Sequence, residues 1–346
     1  MHRSQTSKFV AFFLSLCLLI TYMPFSAAAA PPIITPGESP DDPVYINGVS
    51  WSNTSIVTIA TVTIGVGQTA SLSQLGLSAF ACSNGQCSTA FTWGTTSSKV
   101  TINANGTFYG NEEGMAIITG TSTTFGYGLG LLTLIVCVTE LGYVDASLVD
   151  AIDDLPKEDL IRDIRYILQE NMNLSADSIL THPPTPPSII PRDVLMSYIA
   201  SSRIAYFGGH GEQNRIQLSS YGSSATYLYS YHLDSFPSDI FSRCELLLLD
   251  ACLTASGGET GNNLINAFLA HGVETVVGFK VSVLDAEVNM WVEAFFNNLA
   301  NGETVQQACD SAWEYVETHA NHFSGSADLF GGTEHSCVVG NKNKTF

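Results

Sequence analysis

Two short apolar runs, each ending in small residues and one reactive side chain, constrain this chain most. They are residues 204–211 (IAYFGGHG) and residues 246–252 (LLLLDAC). Apolar runs of this length that stop at glycine or a polar residue are typical of buried strands rather than helices. If both strands belong to one parallel sheet, His210 and Cys252 emerge together at its carboxyl edge, where open α/β sheets place their chemistry.

A thiol and an imidazole that meet at a strand edge can form an activated nucleophile. Each residue alone has a simpler interpretation, because a His after glycines is often a turn residue and a Cys after an apolar strand is often an inert core residue. Their matching positions favour the pair. His210 would take the thiol proton of Cys252 and later protonate the leaving amine. The backbone N–H groups of Gly211 and Cys252 would hold the oxyanion.

The order of these two motifs resembles the caspase-like superfamily of cysteine peptidases, which includes caspases, metacaspases, clostripain, gingipains, legumain, separase and the CHAT domains. Residues 261–279 (GNNLINAFLAHGVETVVGF) look most like a CHAT-type or clostripain-type member, and the resemblance covers about residues 140–320. It implies protein or peptide substrates and the dyad of His210 and Cys252. The alternation of strand and helix patterns along residues 139–346 predicts a three-layer α/β sandwich around a mostly parallel sheet.

Asp250 is the clue to specificity. In clostripain-like and metacaspase-like members, an acid two residues before the nucleophile lines the pocket for the Arg or Lys that precedes the scissile bond. A carboxylate there can pair with a guanidinium or ammonium group. CHAT domains often carry a small residue instead, so the sequence departs from that subfamily here. The simpler interpretation is an Asp that caps the following turn. Asp285, after the next strand, is a second candidate wall of the pocket.

The resemblance therefore implies a cysteine endopeptidase that cleaves after Arg or Lys. One alternative is a catalytically silent caspase-like scaffold or cell-surface adhesion protein, and another is a transpeptidase with the same dyad. A second His–Asp pair, His232 and Asp234, follows no strand and ranks below His210 as a candidate base.

The first 43 residues predict export rather than a folded domain. Residues 1–30 combine a positive start, a short apolar run and small residues, which is the pattern of a secretory signal peptide. Residues 31–43 are rich in Pro and predict an extended linker. No later segment is apolar over enough residues to span a membrane. We therefore expect a secreted or cell-surface protein of bacterial type.

Residues 44–138 carry short β-branched and aromatic runs, which predict an all-β sandwich. Asn105-Gly106 predicts a hairpin. This stretch resembles a bacterial Ig-like domain of group 2 at residues 66–69 (VGQT), 91–93 (FTW), 100–107 (VTINANGT) and 114–120 (GMAIITG).

The net charge of the chain restricts its binding partners, and the number of cysteines restricts its disulfide bonds. The chain has 13 Lys+Arg against 32 Asp+Glu, so it repels phosphate backbones and nucleic acid is not an expected partner. Removal of the signal peptide with Cys17 leaves seven of the eight cysteines, an odd number that fits a free Cys252. Cys82 and Cys87 flank a turn-like loop and are a disulfide candidate. The partners of the other four stay open: Cys137, Cys244, Cys309 and Cys337.

No metal or cofactor is predicted. The acidic residues between 153 and 159 suit the positive start of a helix. Calcium is their alternative ligand, although the spacing of an EF-hand loop is absent. His319 and His322, with His335 and Cys337 nearby, lack a zinc-binding pattern, and a frayed helix end explains them more simply.

Overall fold

The computed structural model describes residues 44–46, 49–51, 56–71, 79–83, 86–88, 91–95, 97–122, 130–151, 157–182, 190–219, 226–319 and 335–346. The predicted signal peptide and the Pro-rich linker lie outside these residues, as does His322. Among the helices described, none is both long and apolar enough to cross a membrane.

The amino-terminal part is built from strands. They are β1 (Val44–Ile46), β2 (Val49–Trp51), β3 (Ile56–Gly65), β4 (Thr69–Ser71), β5 (Ala79–Ser83), β6 (Gln86–Ser88), β7 (Thr92–Thr95), β8 (Val100–Ile102), β9 (Thr107–Gly110), β10 (Gly114–Ser122) and β11 (Gly130–Thr139). They form sheets in the orders β2-β1-β5-β6, β3-β11-β10-β7 and β4-β9-β8. The β-rich character is as predicted, whereas the group 2 Ig-like assignment stays a prediction.

The hairpin predicted at Asn105-Gly106 is confirmed, since β8 and β9 pair in antiparallel orientation on either side of it. The N–H of Gly106 donates to the carbonyl of Asn103 (3.0 Å), and Gly106 has φ +78. Glycine adopts this left-handed conformation without the steric cost that a Cβ brings. Val100 and Phe108 of this hairpin pack into the buried core of the β-rich part.

The carboxyl-terminal part combines strands and helices. The strands are β12 (Val144–Asp150), β13 (Ile179–His182), β14 (Ser202–Gly208), β15 (Gly211–Glu212), β16 (Arg215–Gln217), β17 (Tyr227–Tyr229), β18 (Leu246–Asp250), β19 (Thr275–Phe279) and β20 (Ser336–Gly340). The helices are α1 (Glu158–Tyr166), α2 (Arg192–Ser201), α3 (Leu264–Ala270), α4 (Asp285–Ala300) and α5 (Val305–His319). A π-helical turn, Ile167–Asn171, continues α1.

Six strands form the central sheet in the order β13-β12-β14-β18-β19-β20. The first five are parallel to their neighbours and β20 is antiparallel to β19, so the predicted mostly parallel sheet is confirmed. Strands β15, β16 and β17 form a separate small antiparallel sheet after β14.

Alternate side chains of the central strands face opposite helix layers. Tyr206 and Leu248 face the layer of α1, α4 and α5, while Phe207 and Leu249 face the layer of α2 and α3. Because both faces are covered, these strands are apolar at nearly every position. Each fully buried large side chain contributes roughly 1.5–3 kcal/mol of transfer free energy. The central sheet and the two helix layers on its faces form the three layers that the sequence predicts.

Helix α2 packs against both the β-rich part and the α/β part of the chain. It packs between the central sheet and strands β10 and β11, and eight of its ten residues are buried. The hydroxyl of Tyr198 on α2 donates to both carboxylate oxygens of Glu113 in the β-rich part, each at 2.8 Å. A helix covered on opposite sides needs apolar residues around its circumference, which explains its weak amphipathic pattern.

Candidate active site

The register of β14 and β18 brings the two predicted catalytic residues to one edge. Gly208 is the pairing partner of Asp250, and the N–H of Gly209 donates to the carbonyl of Asp250 (3.0 Å). His210 and Cys252 each lie two residues beyond this pair, on the segments that follow β14 and β18. Both therefore lie at the carboxyl edge of the sheet, where the sequence placed them.

Gly211 packs directly against the backbone of Cys252. A Cβ on Gly211 would lie 2.7 Å from the carbonyl oxygen of Cys252 and 2.8 Å from the Cβ of Ala251. No other residue type fits that space without displacing the chain that carries the thiol. The carbonyl of His210 accepts the N–H of Gln217 (3.0 Å), which fixes the backbone of the histidine to β16.

The chain turns sharply after Cys252. Leu253 has φ +60, a left-handed conformation that is rare for a side chain of this size. Such residues cost about 1–3 kcal/mol and persist where their surroundings hold them. Here the N–H of Leu253 donates to the carbonyl of Val281 (3.1 Å), and the N–H of Ala255 donates to that of Phe279 (2.9 Å). The turn that presents the thiol is therefore tied to the end of β19.

Among the five cysteines whose side chains the structure describes, four are buried and Cys252 is partly exposed. Burial raises the pKa of the other four thiols, and that of Cys137 to about 12. Since the thiolate is the nucleophile, a buried thiol with a raised pKa is inert. The sulfur of Cys252 accepts the N–H of Val283 at 3.4 Å. Cys252 is thus the candidate nucleophile of the described residues.

Asp250 and Asp285 lie together as two walls of one site, but a lysine already stands between them. The ammonium of Lys157 is 2.7 Å from Oδ2 of Asp250 and 3.1 Å from Oδ1 of Asp285. The side chains of Lys157 and Asp250 are each 1% exposed, and that of Asp285 is 36% exposed. The ammonium of Lys157 thus lies between the two carboxylates. The role of Asp250 and Asp285 as walls of a substrate pocket stays a prediction.

Two further side chains complete what we call the lysine cluster: Lys157, Asp250, Asp285, Asn289 and Tyr206. Oδ1 of Asn289 accepts a hydrogen bond from the Lys157 ammonium (2.8 Å), and the Tyr206 hydroxyl donates to Oδ2 of Asp250 (2.6 Å). The ammonium thus donates hydrogen bonds to Asp250 and Asn289, and Asp285 adds an ion-pair contact. The backbone N–H of Lys157 also donates to Asp150 at the end of β12 (3.2 Å).

The electrostatics of the lysine cluster follow from its burial. Burial lowers the pKa of Lys157, but its interactions with Asp250 and then Asp285 outweigh this effect and leave the pKa above its usual value. Burial, followed by the charge of Asp250, raises the pKa of Tyr206 well above its usual value. Lys157 is therefore a cation and Tyr206 a neutral hydrogen-bond donor at any physiological pH.

The lysine cluster adjoins the thiol at two points of the chain. Asp250 lies two residues before Cys252 on the same segment. Asp285 is the first residue of α4 and lies two residues after Val283, whose N–H reaches the Cys252 sulfur. The walls of the acidic site and the surroundings of the thiol are thus formed by the same two segments.

Sequence reasoning missed Lys157 and Tyr206. Lys157 stands among acidic residues just before an amphipathic helix, where a lysine is ordinarily solvated. Tyr206 lies inside an apolar run and has the pattern of a core residue. A lysine whose neighbours are mostly acids was the one available signal, and it did not indicate burial.

No group of three or more His, Cys, Asp or Glu side chains in the described part of the chain could hold a metal ion. His319 stacks on Tyr315 (ring centroids 4.1 Å apart), and His335 packs edge-on against Trp313. Cys82 and Cys87 are direct partners across β5 and β6. The Cα separation of such partners, about 4.5–5.5 Å, suits a disulfide. Their side chains lie outside the described part, so the disulfide stays a prediction.

Comparison with solved structures finds several matches of low identity. The Arg specific cysteine proteinase gingipain R has 11% identity and a TM-score of 0.44 over 58% of this chain and 47% of that one. The complex of the pro- and mature domains of RgpB from Porphyromonas gingivalis has 11% identity and a TM-score of 0.42, over 57% and 47%. The Saccharomyces cerevisiae separase–securin complex has 16% identity and a TM-score of 0.35, over 57% and 12%.

The chain thus spans less than half the length of each of these proteins. No curated protein matches it. Residues 204–319, which include His210, Gly211, Asp250, Cys252 and Asp285, match the family model of the CHAT domain.

Proposed function

We propose that this protein is an exported cysteine endopeptidase that uses His210 and Cys252 as a catalytic dyad. One observation carries the proposal. The register of β14 and β18 places a partly exposed cysteine and a histidine on adjacent strand ends, while every other described thiol is buried. The carboxyl edge of a parallel sheet is where α/β proteins bind and transform ligands.

In the proposed reaction, His210 takes the proton of Cys252 and the thiolate attacks the carbonyl carbon of the scissile peptide bond. The resulting oxyanion lies against the N–H groups of Gly211 and Cys252, whose backbones are in contact. The imidazolium then protonates the leaving amine, so an acyl-enzyme remains. Water, deprotonated by His210, hydrolyses the thioester and restores the thiol.

We also propose that the carboxylates of Asp250 and Asp285 select a basic side chain before the scissile bond. They form an acidic pocket on the segments that flank Cys252. The lysine cluster supports this specificity, since the two carboxylates together bind a lysine ammonium at 2.7 and 3.1 Å. The substrates are proteins or peptides, and the leader at residues 1–30 supports export.

The test is covalent labelling of the mature protein by a peptide-like, thiol-reactive probe, read as mass added at Cys252. His210→Ala should slow labelling by about 10²–10⁴-fold, the usual contribution of a general base. His232→Ala is the matched control, since Nδ1 of His232 accepts the N–H of Tyr229 in a 3₁₀ turn. Equal labelling of the His210→Ala variant, or peptide hydrolysis by a Cys252→Ala variant, would contradict the proposal.

Absence of labelling in the folded wild-type protein would favour the catalytically silent scaffold instead. In that case the β-rich residues 44–138 would become the place to search for a binding function.

A further inference from the structure

The acidic pocket is occupied by a side chain of the protein itself. Lys157 lies just before α1, and its ammonium reaches Asp250, which is 93 residues later in the chain. It also donates a hydrogen bond to Asn289 and forms an ion pair with Asp285. This is the set of contacts that a substrate lysine would need in the same pocket.

The path of the Lys157 side chain is also accommodated by the fold. A Cβ on Gly208 would lie 2.9 Å from Cδ of Lys157 and 2.7 Å from the Tyr206 hydroxyl. The absence of a side chain at the end of β14 therefore leaves room for the aliphatic part of the lysine. Because only 1% of its side chain is exposed, moving the charge of Lys157 away from the two carboxylates would be costly.

Burying an ion pair is not needed to stabilise a fold, because apolar side chains of similar volume often do so equally well. The burial of this ion pair beside Cys252 therefore requires an explanation other than the stability of the fold. The side chain of Lys157 is 1% exposed, whereas that of Asp285 is 36% exposed. The partly exposed wall is the one whose segment contacts the Cys252 sulfur through Val283.

We infer that Lys157 is a specificity-determining residue: its side chain occupies the acidic pocket beside Cys252 and competes with a basic side chain of the substrate. The inference rests on the proposed function. With Lys157 in place, its ammonium already neutralises part of the carboxylate charge, so a substrate Arg or Lys gains less there than the two carboxylates alone would give. Without the Lys157 ammonium, the carboxylates of Asp250 and Asp285 could both pair with a basic side chain of the substrate.

The experiment compares two thiol-reactive peptide probes that differ only in the residue before the reactive group, Arg in one and norleucine in the other. The readout is the ratio of their labelling rates at Cys252. We expect the wild-type protein to prefer the Arg probe by well under tenfold. In Lys157→Ala the ratio should rise on the order of tenfold, the effect of one charge-assisted hydrogen bond.

Lys344→Ala is the matched control, because Lys344 also bridges two carboxylates, Glu245 and Glu274, before the amino ends of β18 and β19. Its ratio should equal that of the wild type. A wild-type ratio already near ten, or an unchanged ratio in a Lys157→Ala protein that is labelled, would overturn the inference. Loss of labelling by both probes in every folded variant would instead refute the proposed dyad.

Two further measurements cover a Lys157→Ala variant whose unpaired carboxylates destabilise the fold and weaken its labelling. n-Butylammonium, which reproduces the missing side chain, should raise the melting temperature of Lys157→Ala, whereas n-butanol and the wild-type protein should show no such rise. Lys157→Gln keeps a hydrogen-bond donor without the charge. Its labelling ratio should lie between those of the wild-type protein and Lys157→Ala. An unchanged ratio in folded Lys157→Gln, or equal effects of the ammonium and the alcohol, would count against the inference.

Discussion

The two edges of the central sheet each hold a lysine between two carboxylates, yet the settings differ. At the amino edge, the Lys344 ammonium is 2.9 Å from Glu245 and 3.1 Å from Glu274, and its side chain is 22% exposed. At the carboxyl edge, Lys157 has similar distances to Asp250 and Asp285 but is 1% exposed. The geometry is alike, so the difference between the two lies in access to water.

Access to water determines how strongly each lysine interacts with its two carboxylates. A Coulomb interaction at 3 Å is weak where solvent screens it and strong where it does not. At the amino edge, Arg203 adds further exposed pairs with Asp145 and Glu245. Such pairs contribute little each and tolerate exchange. At the carboxyl edge, each charge requires its partner, so the same few residues can control which cation the pocket holds.

Among the substitutions that compare the two edges, Lys157→Met is expected to lower the free energy of unfolding most. The substitution leaves Asp250 buried without its cation, which costs about 3–5 kcal/mol in the free energy of unfolding. Urea unfolding followed by circular dichroism measures it. The double variant Lys157→Met/Asp250→Leu, which removes both charges, should recover most of the loss. A cost below about 1 kcal/mol for the single variant would show that water reaches this pair.

A smaller effect is expected for Tyr206→Phe. Its hydroxyl donates to Oδ2 of Asp250 at 2.6 Å, while the ring packs edge-on against Phe296. Phenylalanine keeps the ring packing and removes the donor to a charged group, a loss of about 1.5–3 kcal/mol. Urea unfolding measures this value as well.

The control for Tyr206→Phe is a double-mutant cycle with Asp250→Asn, which isolates the coupling between the two side chains. Additive effects of the two substitutions would contradict a direct hydrogen bond. A lowered melting temperature with an unchanged labelling rate at Cys252 would place Tyr206 in the support of the pocket rather than in the reaction.

The two edges also differ in how far sequence predicts them. The strands β14 and β18 and the placement of His210 and Cys252 follow from local patterns, because each apolar run and its terminating residues are contiguous. The lysine cluster does not, since Lys157 is 93 residues from Asp250 and 132 from Asn289. No local pattern records which distant carboxylates will compensate a lysine on burial.

Backbone geometry shows the same limit. Gly106 in the β8–β9 hairpin was predictable, because Asn-Gly is a strong turn signal. Leu253 carries no such signal, and its left-handed conformation results from hydrogen bonds to the end of β19 that only the folded chain supplies. The position of His210 and Cys252 after adjacent strands could therefore be predicted from sequence, whereas the turn that follows Cys252 could not.

The smallest effect is expected for Lys344→Met at the amino edge, under about 1 kcal/mol and smaller still in high salt. Burial raises the pKa of Glu245, but hydrogen bonds from Arg203 and Lys344 outweigh this and leave its pKa below the usual 4.5. A carboxylate with a lowered pKa stabilises the fold above its unfolded pKa, and this stabilisation is lost as the pH falls through the folded value. Urea unfolding at pH 7 should therefore distinguish wild type from Lys344→Met at low salt. The difference should shrink as the pH falls below 4.5, and a difference that persists in both acid and high salt would mean that Lys344, like Lys157, is shielded from water.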